Sequence, residues 1–195
     1  MRAIINFRGT SGSGKTTLAR NFLNALPVLE RVGGVVKKHD YYLLDATRWS
    51  VVRPIALIGS YENTCGGLDG CGTKEEVMAR VEHAREEHGA HVLMEGLILS
   101  GIGSKGYITQ ACAALGHYWP LFLDTSLEDC LAAVRARRVA SGRDPEFNPE
   151  NTAAKHRACV NTMRDFDTVG IPYRVIDRLT GHRVAFSIIQ EVERA

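Results

Sequence analysis

The sequence predicts an α/β fold in which a mainly parallel sheet carries helices on both faces, a three-layer α/β/α sandwich. Three observations carry that expectation. Short apolar runs alternate with segments of helical length and period along the chain. The first run ends in a glycine-rich turn that opens directly into a helix, and no repeat, low-complexity tract or linker breaks the pattern. Strands alternating with helices call for parallel pairing through crossovers, and in such a sheet ligands bind at the carboxyl ends of the strands.

Taken in order, Ala3–Phe7 is a strand, and a helix over Thr16–Leu26 is closed by Pro27. Gly33–Lys38 and Tyr41–Ala46 are expected to pair as strands, and Pro54–Ile58 is a further strand ending at Gly59. Gly59–Thr73, rich in Gly, Asn, Ser and Thr, reads as a loop. Val77, Met78, Val81 and Ala84 recur at helical spacing within Lys74–His88, ahead of a strand over His91–Met94 with Glu95 at its end. A glycine-rich stretch from Gly96 to Gly106 leads into a helix through Leu115, then a strand over Trp119–Leu123 ending at Asp124. A helix over Leu127–Ala140 and a loop over Gly142–Pro149 follow. Asn148 is placed to cap the next helix, whose first turn accepts Pro149 and which runs to about Val169. Tyr173–Ile176 is the last strand and Val184–Arg194 the closing helix.

A chain of 195 residues fits one domain, 1–195, with one core. Its 45% hydrophobic and 24% charged residues argue against a disordered, fibrous or membrane-dominated protein. No segment approaches the roughly 18 apolar residues that span a bilayer, and with no export signal a cytoplasmic location is expected. The five cysteines form no even framework and read as reduced thiols; the five residues between Cys65 and Cys71 do not match a zinc spacing. The net charge of +2 is uneven: residues 135–164 hold seven Lys/Arg against three acids, a local +4 that suits phosphate handling.

Gly9-Thr10-Ser11-Gly12-Ser13-Gly14-Lys15-Thr16 satisfies G-x-x-x-x-G-K-[ST] between a strand and a helix, the context that defines a P-loop. The fold expected is accordingly that of the P-loop NTPases. Its glycines let backbone N–H groups wrap phosphate oxygens, and the following helix, with Thr17 in its first turn, points its positive end at them. Lys15 is placed to neutralise the β and γ phosphates of an NTP, and the Thr16 hydroxyl to reach a Mg²⁺ ion bridging them. No guanine-reading NKxD-type segment occurs. Instead Asp124 is followed by a helix ending in Arg135, Arg137 and Arg138, which resembles the approach to the lid of nucleoside and nucleotide kinases, here about residues 135–155. Arg138 and Arg143 are the expected triphosphate contacts, stabilising charge on the migrating phosphoryl group and excluding water.

A kinase needs a carboxylate at the acceptor hydroxyl, and a second acid can hold the metal. Glu95 ends a strand in a Walker B-like position, for catalysis or the metal shell. Asp69 is a candidate base or acceptor ligand within the loop, and Asp40 lies where several P-loop kinases carry their acid, or turns a hairpin. In the same loop Tyr61 either stacks on a base or packs beneath its own chain, and Asn63 can read a base edge. His39 and His156 are candidate phosphate contacts.

With these residues in view, the chain resembles P-loop kinases encoded by tailed phages beside DNA base-modification genes. The likeness runs through Arg8 to Thr17, Gly59-Ser-Tyr61 with Cys65-Gly-Gly67-Leu-Asp69, Glu95-Gly-Leu with Ser100, Leu123-Asp-Thr125, and the arginine helix. It ends at Asn148-Pro-Glu-Asn151-Thr-Ala-Ala-Lys155-His156. The resemblance implies ATP-dependent phosphorylation of 5-hydroxymethyluracil already in DNA, giving an ester that later enzymes displace. It places Gly67 and Asp69 with the substrate, and Asn151 and Lys155 near the lid and the phosphates or the DNA strand. Two alternatives stay open at this point: a kinase of free nucleosides, nucleotides or small metabolites, and a noncatalytic nucleotide-dependent switch or partner-binding module.

Overall fold

The computed structural model describes residues 1–36, 40–62, 67–68, 71–96 and 106–195. The strands are β1 (Ile4–Arg8), β2 (Val28–Val32), β3 (Tyr41–Leu44), β4 (Ile55–Ile58), β5 (His91–Glu95), β6 (Tyr118–Leu123) and β7 (Arg174–Ile176). They form one sheet in the order β2-β3-β4-β5-β1-β6-β7. From β4 to β7 in that order every pairing is parallel, and β3 and β2 add an antiparallel edge. Among the described residues the α-helices are α1 (Lys15–Ala25), α2 (Lys74–Glu86), α3 (Tyr107–Ala114), α4 (Leu127–Ala140), α5 (Glu150–Val169) and α6 (Gly181–Arg194).

Alternation along the strands sorts the core into two faces. Ile5, Phe7 and Leu93 look toward Leu18 and Phe22 of α1 and Ile189 of α6. Ile4, Val92 and Met94 look the other way, toward Val77 and Val81 of α2 and Ile108 of α3. On that second face Phe122 of β6 meets Cys159 and Phe166 of α5. Because both faces are covered, β1 is buried from end to end, and its carboxyl end is anchored in the middle of the sheet. Helix α2 begins at Lys74 because Thr73 and Glu76 form a reciprocal capping box. Among the described residues no helix is long and apolar enough to cross a membrane.

The expected pairing of Gly33–Lys38 with Tyr41–Ala46 is corrected. The partner of β3 is β2, which starts directly after Pro27. Four of its five residues are exposed, so an edge strand with a polar Glu30-Arg31 pair lacks the apolar signature of the buried strands. Gly34, with φ of 86°, turns the chain, and Lys37, Lys38 and His39 lie outside the described residues.

Asp40 is built into this turn. Its Oδ2 accepts from the Val35 and Val36 amides at 2.8 and 3.0 Å. Its Oδ1 accepts from Nε and Nη2 of Arg80 on α2, at 3.0 and 2.9 Å, with both side chains essentially excluded from solvent. The expectation that Asp40 serves as a catalytic acid is therefore corrected to a scaffold role, since both carboxylate oxygens hold structure. Asp40→Asn would leave the Arg80 guanidinium buried beside a neutral amide. A loss of about 3–5 kcal/mol in denaturant unfolding is expected, while the folded fraction keeps its turnover. Unchanged stability with lost turnover would return Asp40 to the chemistry.

Candidate functional site

The loop between β1 and α1 is shaped by what surrounds it. Gly12, at φ of 86°, is pressed so closely on α4 that a β-carbon there would lie 2.3 Å from the Cys130 carbonyl oxygen. Gly14 caps α1 in the left-handed region, φ 99°, which a side chain would strain. The Ser13 amide donates to the Thr10 carbonyl at 3.2 Å and closes the turn. Outside bonds then hold the loop in place: Thr10 Oγ1 donates to the Thr152 carbonyl in the first turn of α5, and Thr125 Oγ1 donates to the Ser13 carbonyl, both at 3.1 Å. His156 on α5 reaches the Thr125 carbonyl through Nε2 at 3.3 Å.

The base of the loop is equally rigid. Arg8, the last residue of β1, is buried and donates through Nη2 to Thr109 Oγ1 of α3 and Tyr118 OH of β6, at 2.8 and 2.6 Å. Its guanidinium lies 4.8 Å from the Phe166 ring centroid. Burial lowers its pKa, against the opposing pull of Tyr118.

These features suit a polyphosphate. The first-turn amides of α1 have no intrahelical acceptor, and the first turn carries no acidic residue to compete for the helix's positive end. Lys15 reaches back over the loop and donates through Nζ to the Gly9 and Thr10 carbonyls at 2.8 and 3.0 Å, which holds its ammonium at the loop. Burial raises the Cys130 and Cys159 thiols, the latter to about 11, against an opposing pull from Lys15 on both. Ser11 and Thr16 are half-buried and Thr17 is exposed.

Glu95 stands next door because β5 pairs with β1 in a register that sets Glu95 against Phe7. It is 3% exposed and forms the last residue of β5, one position longer than the expected strand. The loop after β4 folds onto it. Gly67, at φ of 73°, bridges back to Ser60, and a β-carbon on it would sit 2.3 Å from Glu95 Cγ. Only glycine allows this approach. Tyr61 is 5% exposed, donates to the Ile58 carbonyl at 3.3 Å and faces Tyr42. Burial, then the nearby Glu95, push its pKa well up. Of the two readings of Tyr61, packing beneath its own loop holds, and base stacking is corrected: the ring is already in the core. Arg20 on α1 ties the loop down by donating through Nε to the Tyr61 carbonyl at 3.3 Å. Asn63 and Asp69 lie outside the described residues.

On the lid side, Cys130, Val134 and Arg138 follow one another at four-residue steps along α4, so Arg138 continues the inward stripe of Cys130 and Val134. Its Nε donates to the Asp144 carbonyl at 2.5 Å and its guanidinium lies over the Phe147 ring, so the side chain is engaged with the lid's own loop. Arg143, Asn151 and Lys155 are exposed, the last two four residues apart on one flank of α5. Pro149, rather than Asn148, occupies the capping position of α5, although Asn148 Oδ1 accepts from the Glu150 amide at 2.9 Å.

One neighbour escaped the sequence reading. Arg178, just past β7, packs on the P-loop, where a β-carbon on Gly14 would lie 3.4 Å from its Cδ. Its signal was positional: β7 runs parallel to β6, so the residues after it share the carboxyl edge of the sheet.

A glycine cradle with its lysine, beside a buried carboxylate on the neighbouring parallel strand, defines a nucleotide-binding protein of the P-loop class. No protein-family model matches the chain. It belongs, however, to the family of phage 5-hmdU DNA kinases, and is a kinase with a nucleotide donor. Over 180 residues, 90% of each protein, it is 36% identical to the 5-hmdU DNA kinase of Pseudomonas phage PaMx11. To that of Pseudomonas phage M6 it is 34% identical over 171 residues, 83% of each. To that of Delftia phage PhiW-14 it is 27% identical over 172 residues, which cover 82% of this chain and 62% of the relative.

Proposed function

We propose that this chain, as one domain, transfers the γ-phosphoryl group of ATP to the hydroxymethyl oxygen of 5-hydroxymethyluracil in DNA, in the cytoplasm of an infected bacterium. The observation that carries the reading is the joining of Lys15, Glu95 and Gly67 at one edge of the sheet, in a relative of the phage DNA kinases. The hydroxymethyl oxygen attacks the γ-phosphorus, the bond to the β–γ bridging oxygen breaks, and ADP leaves.

The loop amides from Gly9 to Thr16 hold the phosphates, and Lys15 exchanges its two carbonyl partners for their oxygens. Thr16 and Glu95 would hold Mg²⁺, which would supply neutralising charge for the β and γ phosphates. Two protein ligands would suffice, since magnesium is commonly held by one or two side chains together with substrate phosphates. Among the described residues no group of three or more His, Cys, Asp or Glu side chains could hold a metal. Asp69, two positions after Gly67, takes the acceptor proton. Arg138 and Arg143 swing from the lid loop to the triphosphate as the lid over about 135–155 closes. Gly67 lies on the acceptor side, Asn63 is assigned to reading the edge of the base, and Asn151 and Lys155 face the DNA. The target base is either extruded from the duplex or met unpaired.

The test is incubation with ATP and duplexes of modified or plain DNA, free nucleosides and nucleotides. Product DNA is then digested to nucleosides without phosphatase. A phosphate on the modified base, found by mass spectrometry, is the expected result. Its absence, together with brisk phosphorylation of a free nucleotide or metabolite, would overturn the DNA assignment.

A further inference from the structure

The cations of the lid side divide into two sets. Arg138 continues the inward stripe of Cys130 and Val134 on α4, whereas Arg135 and Arg137 stand exposed on the two flanks of that stripe. On α5, Thr152 and Cys159 are turned inward while Lys155 is exposed between them in sequence. The described ion pairs that involve arginine join Arg31 to Glu62, Arg80 to Asp40, Arg157 to Glu150 and Arg174 to Glu191. Arg135, Arg137 and Lys155 enter none of them.

The favourable field at a helix carboxyl end accounts for Arg137 and Arg138, which occupy the last turn of α4. It offers nothing to Arg135, a turn earlier, or to Lys155 in the first half of α5. Both helices touch the P-loop, α4 through the Cys130 carbonyl at Gly12 and α5 through the Thr152 carbonyl at Thr10. Exposed charge that enters no ion pair among the described residues thus flanks the phosphate site on two sides, in the segment that carries +4.

We propose that Arg135, Arg137 and Lys155 form a track for the phosphodiester backbone of the DNA that carries the acceptor base. The arginine cluster then serves two substrates: Arg138 serves the nucleotide, and its neighbours on the helix serve the polymer. This rests on the reading that DNA is the acceptor. Neutralising backbone phosphates releases counterions, so each contact leaves a mark in the salt dependence of DNA binding.

The experiment compares wild type with the double variant Arg135→Gln/Arg137→Gln and the charge-keeping Arg135→Lys/Arg137→Lys. It reads KM for a hydroxymethyluracil-containing oligonucleotide at several salt concentrations, KM for ATP, and melting temperature. For the glutamine variant, KM for DNA is expected to rise about tenfold. The slope of log affinity against log salt is expected to flatten by about 0.7–0.9 per arginine removed. KM for ATP should stay within about twofold, the lysine variant should keep most of the slope, and the melting temperatures should agree because both side chains are exposed.

Unchanged KM and slope for DNA in a folded glutamine variant would overturn the track. So would a rise confined to KM for ATP, which would assign these arginines to the nucleotide. If the wild type phosphorylates free nucleosides but no DNA, the functional reading itself falls, an outcome seen before any variant is compared.

Discussion

Lys15→Ala is expected to lower turnover on the order of 10³-fold with the fold intact, because one preorganised cation aimed at developing charge commonly carries about that much of the barrier. The side chain is half-buried and its Nζ meets the carbonyls of Gly9 and Thr10 in its own loop, so its removal opens no cavity in the core. The loop is meanwhile held by bonds that do not involve Lys15, from Thr10 to Thr152 and from Thr125 to Ser13. Steady-state kinetics with a melting curve on the same preparation checks this. Turnover within about tenfold of wild type would remove Lys15 from the phosphoryl-transfer step.

Glu95→Gln is expected to cost about 10²-fold or more in turnover, within the range seen when a catalytic carboxylate is lost. The change is almost isosteric, so the amide fits beneath Gly67 and the sheet register with Phe7 is kept. Because Glu95 is proposed to act on the metal side, the variant should also need more Mg²⁺ for half-maximal rate. A magnesium titration of both enzymes separates the two effects. A large loss of turnover with an unchanged magnesium requirement would make Glu95 the proton acceptor in place of Asp69. Turnover within about threefold of wild type at every magnesium concentration would exclude it from both roles.

The residues that proved legible beforehand are those whose chemistry is local. Gly9 to Thr16 announce a phosphate cradle because backbone freedom, a lysine and a hydroxyl occur within eight consecutive positions next to an apolar run. Helices α2, α4 and α6 were legible for a related reason: periodicity and caps act within a turn or two. Edge strand β2 was missed because, exposed along most of its length, it carries no apolar pattern, while Gly33–Val36 looked apolar yet serves as a turn.

The sequence by itself determined the α/β class and which loop carries the phosphate-cradle motif. The tertiary structure alone decided how the acids and cations divide. Asp40 and Arg80 lie forty positions apart, and burial together turns a candidate catalyst into scaffold. Tyr61 became core while Glu95 is set by register against Phe7 beneath Gly67, although both sit at or just beyond the carboxyl end of a strand. Arg178 joined the P-loop from the far end of the chain. The physical reason is the same in each case: a charged or aromatic side chain takes its role from whatever is packed beside it. The order of the strands in the sheet, set by the summed burial of both faces, chooses those neighbours, and no local pattern records that order.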